Sequence, residues 1–221
     1  MSEIILLSNA RNSFPHLIEP QSTTDQATGK TRISYSVDLI LQPNSPSFQA
    51  FMQEVQKSAL AKWGDNAGAV LQMVQADRKT RCFGSGNEKI DKKTFKPYKG
   101  YENMVYVTAI KDRPPQIIDT DGRAIEDGNT MAYQMLTRKM YAGCYLNVAV
   151  RPWLQENKFG RGIRCELIAV QFATDGEAFG EGAADASNLF GAVAAPVGIN
   201  APTPGGAPAP FGAPGLPSFF G

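Results

Sequence analysis

A single histidine, His16, and three cysteines, Cys82, Cys144 and Cys165, are all this chain has of the residues that most often bind zinc or run nucleophilic catalysis. One imidazole disfavours a His-based zinc site, a Ser-His-Asp triad and a Cys-His dyad. The cysteines form no CxxC pair and leave an odd thiol, as suits a reducing cytosol. Cys144 and Cys165 lie in strand-like runs and are expected in the core. Cys82, in a basic stretch, is expected at the surface, and His16, after Phe14-Pro15, in a turn. No apolar run approaches the roughly 20 residues needed to span a bilayer. The amino-terminal segment lacks the basic region and the apolar length of a signal peptide. Formal net charge is only +1, so no global field draws the chain to a polyanion, and any such affinity must come from local clustering. No Lys or Arg follows Arg164. Gly29-Lys30-Thr31 resembles the end of a phosphate-binding loop, but Thr24 stands where that motif needs glycine. Gly84 and Gly86 lack the third glycine of a dinucleotide fingerprint. Asp119, Asp121, Glu126 and Asp127 could in principle hold magnesium ions, yet their spacing also matches a plain hairpin turn. No metal, cofactor or catalytic residue is expected, and a magnesium-dependent nuclease is the weakest reading.

Composition changes sharply near Gly180. Residues 1–180 read as one folded domain. Residues 181–221 are mostly Gly, Ala and Pro, with Glu181 and Asp185 as the only charges, and read as a disordered tail. Its apolar end, Phe219 and Phe220, is a candidate docking tip for a partner. Within the domain, Ile4–Ala10 predicts a first strand and 21–30 a polar loop. Residues 31–42 alternate well, with Ile33, Tyr35, Val37, Leu39 and Leu41 on one face and Ser34, Ser36 and Asp38 on the other. Ser45 before Pro46 signals a helix start. Phe48, Phe51, Met52, Val55, Ala59 and Leu60 follow at helical spacing, and Ala67–Ala76 resumes as a second helix. Further strands are expected over 103–111, 116–119, 143–151 and 162–173, with a short helix over 129–139. Trp153–Arg161 reads as a connection with a basic, flexible tip. This order is mainly β with a helical insertion. It is compatible with an OB-like five-stranded antiparallel barrel, though other small barrels or an α+β sandwich fit too.

What is present in quantity is a basic, aromatic stretch at 77–101. Arg78, Lys79, Arg81, Lys89, Lys92, Lys93, Lys96 and Lys99 are interleaved with Phe83, Phe95, Tyr98 and Tyr101, opposed only by Asp77, Glu88 and Asp91. Cations can track a phosphate backbone, and flat rings can stack on unpaired bases, which a duplex hides. Trp153, Lys158, Phe159 and Arg161, with Arg164 nearby, make a second such mixture, and Tyr35 sits on the long alternating strand. Two segments from distant parts of the chain could line one groove. The candidate DNA-binding residues are therefore Tyr35, Arg78, Lys79, Arg81, Lys89, Lys92, Lys93, Phe95, Lys96, Tyr98, Lys99, Tyr101, Trp153, Lys158, Phe159 and Arg161. Little sequence specificity is expected, since no recognition helix or zinc-finger spacing is visible.

Three segments carry a resemblance: Tyr141-Ala-Gly-Cys-Tyr-Leu-Asn-Val-Ala-Val-Arg-Pro-Trp153, Asn157-Lys-Phe-Gly-Arg-Gly-Ile163 and Ala169-Val-Gln-Phe-Ala-Thr-Asp-Gly-Glu-Ala-Phe-Gly180. With Lys96-Pro-Tyr-Lys-Gly-Tyr101 and Ser8-Asn-Ala-Arg-Asn-Ser-Phe-Pro15, they resemble a bacteriophage family of OB-fold single-stranded DNA-binding proteins. The resemblance implies a non-enzymatic protein that coats single-stranded DNA in phage replication, recombination or repair, in the cytoplasm of the infected bacterium. It also suggests tail contacts with phage or host replication or recombination proteins, although the acidic run such tails often carry is missing here. A homo-oligomer is compatible with either. A strand-annealing recombinase and a structural, virion-associated assembly protein remain the alternatives.

Overall fold

The computed structural model describes residues 2–24, 29–125, 128, 130–158 and 160–179. Strand β1 spans Ile5–Thr24 and β2 Thr31–Leu41. Two helices follow, α1 Pro46–Trp63 and α2 Ala67–Ala76. Then come β3 Phe83–Ser85, β4 Val105–Lys111, β5 Gln116–Ile118, β6 Ala124–Ile125, α3 Met131–Arg138, β7 Tyr145–Asn157 and β8 Gly160–Thr174.

Five strands close on themselves in the order β4-β2-β1-β7-β8, with β4 returning to β8 through Ile110 and Glu166. Four of the five seams are antiparallel, and the closing β4–β8 seam is parallel. This is an OB-like barrel. The short β3 extends the sheet beyond β4, and β5 and β6 extend it beyond β8. Inward-facing residues recur at every second position: Val37, Leu39 and Leu41 from β2, Val107 and Ala109 from β4, Leu146, Val148 and Val150 from β7. Burying each large side chain contributes about 1.5–3 kcal/mol.

The predicted first strand is longer than its apolar alternation suggests. β1 pairs with β7 through Ile5–Arg11 and with β2 through Arg11–Thr24, so one strand serves two seams. It bends at two irregularities, between Ser13 and His16 and between His16 and Gln21. Pro15 and Pro20 fall in these gaps, where a missing N–H costs no ladder bond. His16 is thus a half-buried strand residue rather than a turn residue.

α1 starts as expected. The Ser45 hydroxyl accepts from the Phe48 N–H at 3.4 Å, with Pro46 in the first turn. Phe51, Val55 and Ala59 then face the barrel at four-residue spacing. Phe51 meets Phe83 edge-on at 5.9 Å, anchoring β3. β7 and β8 run past the barrel as a two-stranded ribbon, pairing Trp153 with Arg164 and Asn157 with Gly160. The expected loop at 153–161 is therefore largely strand. Its sequence hides this, because Leu154 is the only apolar residue between Trp153 and Phe159, and it packs on the core opposite the buried Ile163 with no alternating partner. Among the described residues no helix is long and apolar enough to cross a membrane.

Candidate nucleic-acid interface

Asp38 organises the outer face of the barrel. It stands on β2 opposite Thr108 of β4 and is only 5% exposed. Its carboxylate accepts from the Lys89 ammonium at 2.7 Å, from the Tyr101 hydroxyl at 2.9 Å and from the Thr108 hydroxyl. The Lys89 ammonium also lies 4.4 Å from the centre of the Tyr106 ring. The basic stretch is thus folded down over β2 and β4 rather than hanging free. Tyr101 is fully buried. Burial first, then Asp38 beside it, pushes its hydroxyl far above the ordinary range, so it stays protonated as a donor. Tyr101 cannot stack on a ligand, contrary to expectation.

Arg81 is also structural. Its guanidinium donates to the Gln75 carbonyl at 3.1 Å, to the Phe83 carbonyl at 2.5 Å and to Glu88 at 2.7 Å, leaving 7% of the side chain exposed. Cys82 is buried rather than exposed, alongside Cys144 and Cys165. The Cys165 thiol is held far above its usual pKa by burial, with Cys82 beside it, and burial pushes Cys144 to about 11.

Between these elements lies an open groove of about 1540 Å³. Its floor is the outer face of β4, with Tyr106, Thr108 and Ile110. Thr23, Arg32 and Ser34 close one side from the ends of β1 and β2. Trp153, Gln155, Asn157 and Arg164 close the other from the β7–β8 ribbon. Asp77, Arg78 and Lys79 form a third wall. Arg164 pins that wall, donating to the Lys79 carbonyl at 2.9 Å and to Gln155 at 3.0 Å. The Ile163 N–H donates to the Thr80 carbonyl at 2.7 Å, joining the wall to β8. Seven cations line the groove (Arg32, Arg78, Lys79, Arg81, Lys89, Lys111 and Arg164) against three carboxylates, Asp77, Asp112 and Glu166. Among the described residues, the side chains of Arg32 and Lys79 enter no ion pair. Trp153 is 45% exposed. The site lies where OB folds take oligonucleotides, across the second and third barrel strands and between the β1–β2 and β7–β8 connections.

Of the expected residues, Arg78, Lys79, Arg81, Lys89 and Trp153 come together in this groove. Tyr35 does not: it sits on the face opposite Ser34, near enough to Tyr133 of α3 to add to the upward shift that burial gives that hydroxyl. Lys92, Lys93, Phe95 and Lys96 occupy the exposed end of a hairpin beyond Lys89. Tyr98 packs edge-on against Phe14 at 5.1 Å, and Lys99 pairs with Glu177 at 2.6 Å. Arg161 pairs with Glu156 at 2.7 Å on the ribbon, beside Lys158 at its turn. Phe159, Phe219 and Phe220 lie outside the described residues. Arg32, Tyr106, Lys111 and Arg164 join the groove without having been singled out. Only Arg164, close to Trp153 in sequence, carried a signal. Asp119 accepts from the N–H groups of Asp121 and Arg123 and so closes the β5–β6 turn. Glu126 and Asp127 are outside the described residues, among which no cluster of three or more His, Cys, Asp or Glu could hold a metal.

Trp153 and Asn157 carry two of the motifs of the resemblance into the groove, while other parts of those motifs converge away from it. The buried Asn12 amide donates to the Met140 and Tyr141 carbonyls, both at 2.9 Å. Arg11 donates to the Glu177 carbonyl at 2.9 Å and stacks over Phe179 at 4.2 Å. The Tyr141 hydroxyl donates to the Gly176 carbonyl at 2.8 Å. Together they latch the end of the domain onto β1.

Protein p50 of Acyrthosiphon pisum secondary endosymbiont phage 1 is 27% identical over 176 residues, covering 79% of this chain and 85% of that protein. The single-stranded DNA-binding protein from bacteriophage Enc34, solved in complex with ssDNA, superposes with a TM-score of 0.58 at 24% identity, over 80% of this chain and 89% of that one. A second solved structure of the bacteriophage Enc34 protein superposes with a TM-score of 0.57 at 23% identity, over 84% of this chain and 89% of that one. A profile described as Enterobacter phage Enc34, ssDNA-binding protein, matches residues 3–197. The chain belongs to the family of the Enterobacter phage Enc34 ssDNA-binding protein.

Proposed function

We propose that this chain binds single-stranded DNA in the groove over β2 and β4, without sequence preference and without a chemical step. The observation that carries the reading is the groove itself, which seven cations line together with a part-exposed Trp153 in a near-neutral protein. Arg32, Arg78, Lys79, Lys89, Lys111 and Arg164 follow the phosphates. Trp153 stacks on a base, worth about 1–3 kcal/mol. Arg81 and Tyr101 act indirectly, by holding the wall and the covering loop in place. Lys158 and Arg161 extend the cationic track along the ribbon.

Residues 1–180 supply the binding domain in this reading. The segment 181–221, with Phe219 and Phe220 at its end, supplies contacts to phage or host replication or recombination proteins. The setting is DNA replication, recombination or repair in the cytoplasm of the infected bacterium. The test is fluorescence anisotropy of a labelled oligo-dT of about 30 nucleotides, at two salt concentrations, against a matched duplex. Salt-sensitive binding that strongly favours the single strand is expected. Equal binding to both DNAs, or none, would overturn the reading.

A further inference from the structure

The arm between Lys89 and Tyr98 lies outside the groove lining except at its base, Lys89. It is an ordered hairpin. Tyr98 N–H donates to the Lys89 carbonyl at 2.9 Å, and Ile90 bridges to Pro97. At its end Asp91 N–H donates to the Lys96 carbonyl at 2.9 Å, and Phe95 N–H to the Asp91 carbonyl at 2.8 Å. The Asp91 carboxylate accepts from the Lys93 N–H at 2.9 Å and the Thr94 hydroxyl at 3.1 Å.

Phe95 crowns this end. It is 83% exposed, more than any other large apolar residue among those described. Its φ is +56°, a left-handed conformation that glycine or asparagine adopts readily and an aromatic residue does not. Both features are unfavourable for folding. Strain of this kind persists where surrounding bonds enforce it, and it clusters at functional sites. Lys92, Lys93 and Lys96 flank Phe95 in the sequence and are exposed with it, and the one acid of the arm, Asp91, is engaged with the Lys93 N–H and the Thr94 hydroxyl. An exposed apolar ring next to cations, on a hydrogen-bonded hairpin whose base Lys89 lines the groove, has the chemistry of a wedge. The ring enters a base step while the cations hold the flanking phosphates.

We propose that this arm separates strands. It rests on the groove reading above: with a single strand in the groove, Phe95 inserts at the last base pair of the duplex from which that strand emerges and opens it. No covalent step or energy source is needed, since stacking on the ring replaces stacking in the duplex.

The test uses the full chain and a junction DNA whose single-stranded oligo-dT part, about 15 nucleotides long to fill one site, leads into a duplex. The first duplex pair carries 2-aminopurine. Anisotropy sets the protein at saturation, so affinity differences drop out. Wild type is expected to raise the 2-aminopurine fluorescence. Phe95→Gly and Phe95→Ala lose most of that rise, about fivefold or more, and Phe95→Tyr keeps it. Phe95→Gly relieves the left-handed backbone, so its Tm is not lowered and misfolding does not explain its loss. Trp153→Ala needs more protein to saturate yet still opens the pair. A wild-type complex that leaves the pair closed at saturation, or a Phe95→Gly complex that opens it as fully, overturns the wedge and leaves the groove reading standing. Absence of binding to the single-stranded part overturns both.

Discussion

At the scale of single residues, the same side-chain type sits in different surroundings along one basic stretch. Lys89 is pinned to Asp38 while the side chain of Lys79 stays in water. Trp153→Ala should weaken oligo-dT binding by about 5- to 100-fold, the equivalent of 1–3 kcal/mol of stacking. Its Tm should stay close to wild type, because the ring is not in the core. Arg32→Ala and Lys79→Ala should each flatten the log–log salt dependence by about 0.7, and a slope unchanged in the double variant would remove these cations from the phosphate path. Asp38→Ala should cost about 2–4 kcal/mol in urea unfolding, because it strands the Tyr101 hydroxyl and the partly solvated Lys89 ammonium. The three thiols are buried, and burial raises those of Cys144 and Cys165. They should react with a thiol reagent at pH 8 only as fast as the protein unfolds. Tyr101 and Arg81 mislead a reader of sequence for one reason. A run of cations looks solvated until the buried carboxylate and carbonyls that bind it are seen.

At the scale of elements, the helices and β2 were readable from apolar residues that recur on one face, although the loop over β2 also buries Asp38 and Ile40 on its other face. β1 was only half readable. Its bends at Pro15 and Pro20 break the alternation that a straight strand would show. The ribbon ends of β7 and β8 were not readable, since their core contacts, Leu154 and Ile163, lie among polar residues that show no alternation. The latch over β1 depends on close backbone approach. Gly143 has φ +112°, and a Cβ there would come within 2.1 Å of the Glu177 carbonyl oxygen. Gly143→Ala should therefore destabilise by about 2–4 kcal/mol. The loss should show as a lower Tm with DNA affinity kept below the transition, since the latch stands apart from the groove.

At the scale of the whole molecule, a chain truncated after residue 180 should unfold with the same midpoint and bind oligo-dT within about threefold of the full chain, if the domain holds the whole groove. Removing 211–221 should spare DNA affinity and weaken capture of a polymerase or recombinase partner. Unchanged capture would count against the tail tip. Composition alone set the change to Gly, Ala and Pro near Gly180 and the scarcity of His and Cys, because both depend on which residues exist and not on where they meet. Local pattern set the two helices and the alternating strand, because side-chain periodicity along a strand or helix is a property of neighbours. The groove was decided only by tertiary closure. Arg32, Lys111 and Arg164 stand far apart in the chain, and the parallel β4–β8 seam brings them to one face. Closure likewise decided which groove cations stay in solvent, such as Lys79, and which are tied down, such as Arg81 and Lys89, since burial is settled by what folds over a residue and not by the residue itself.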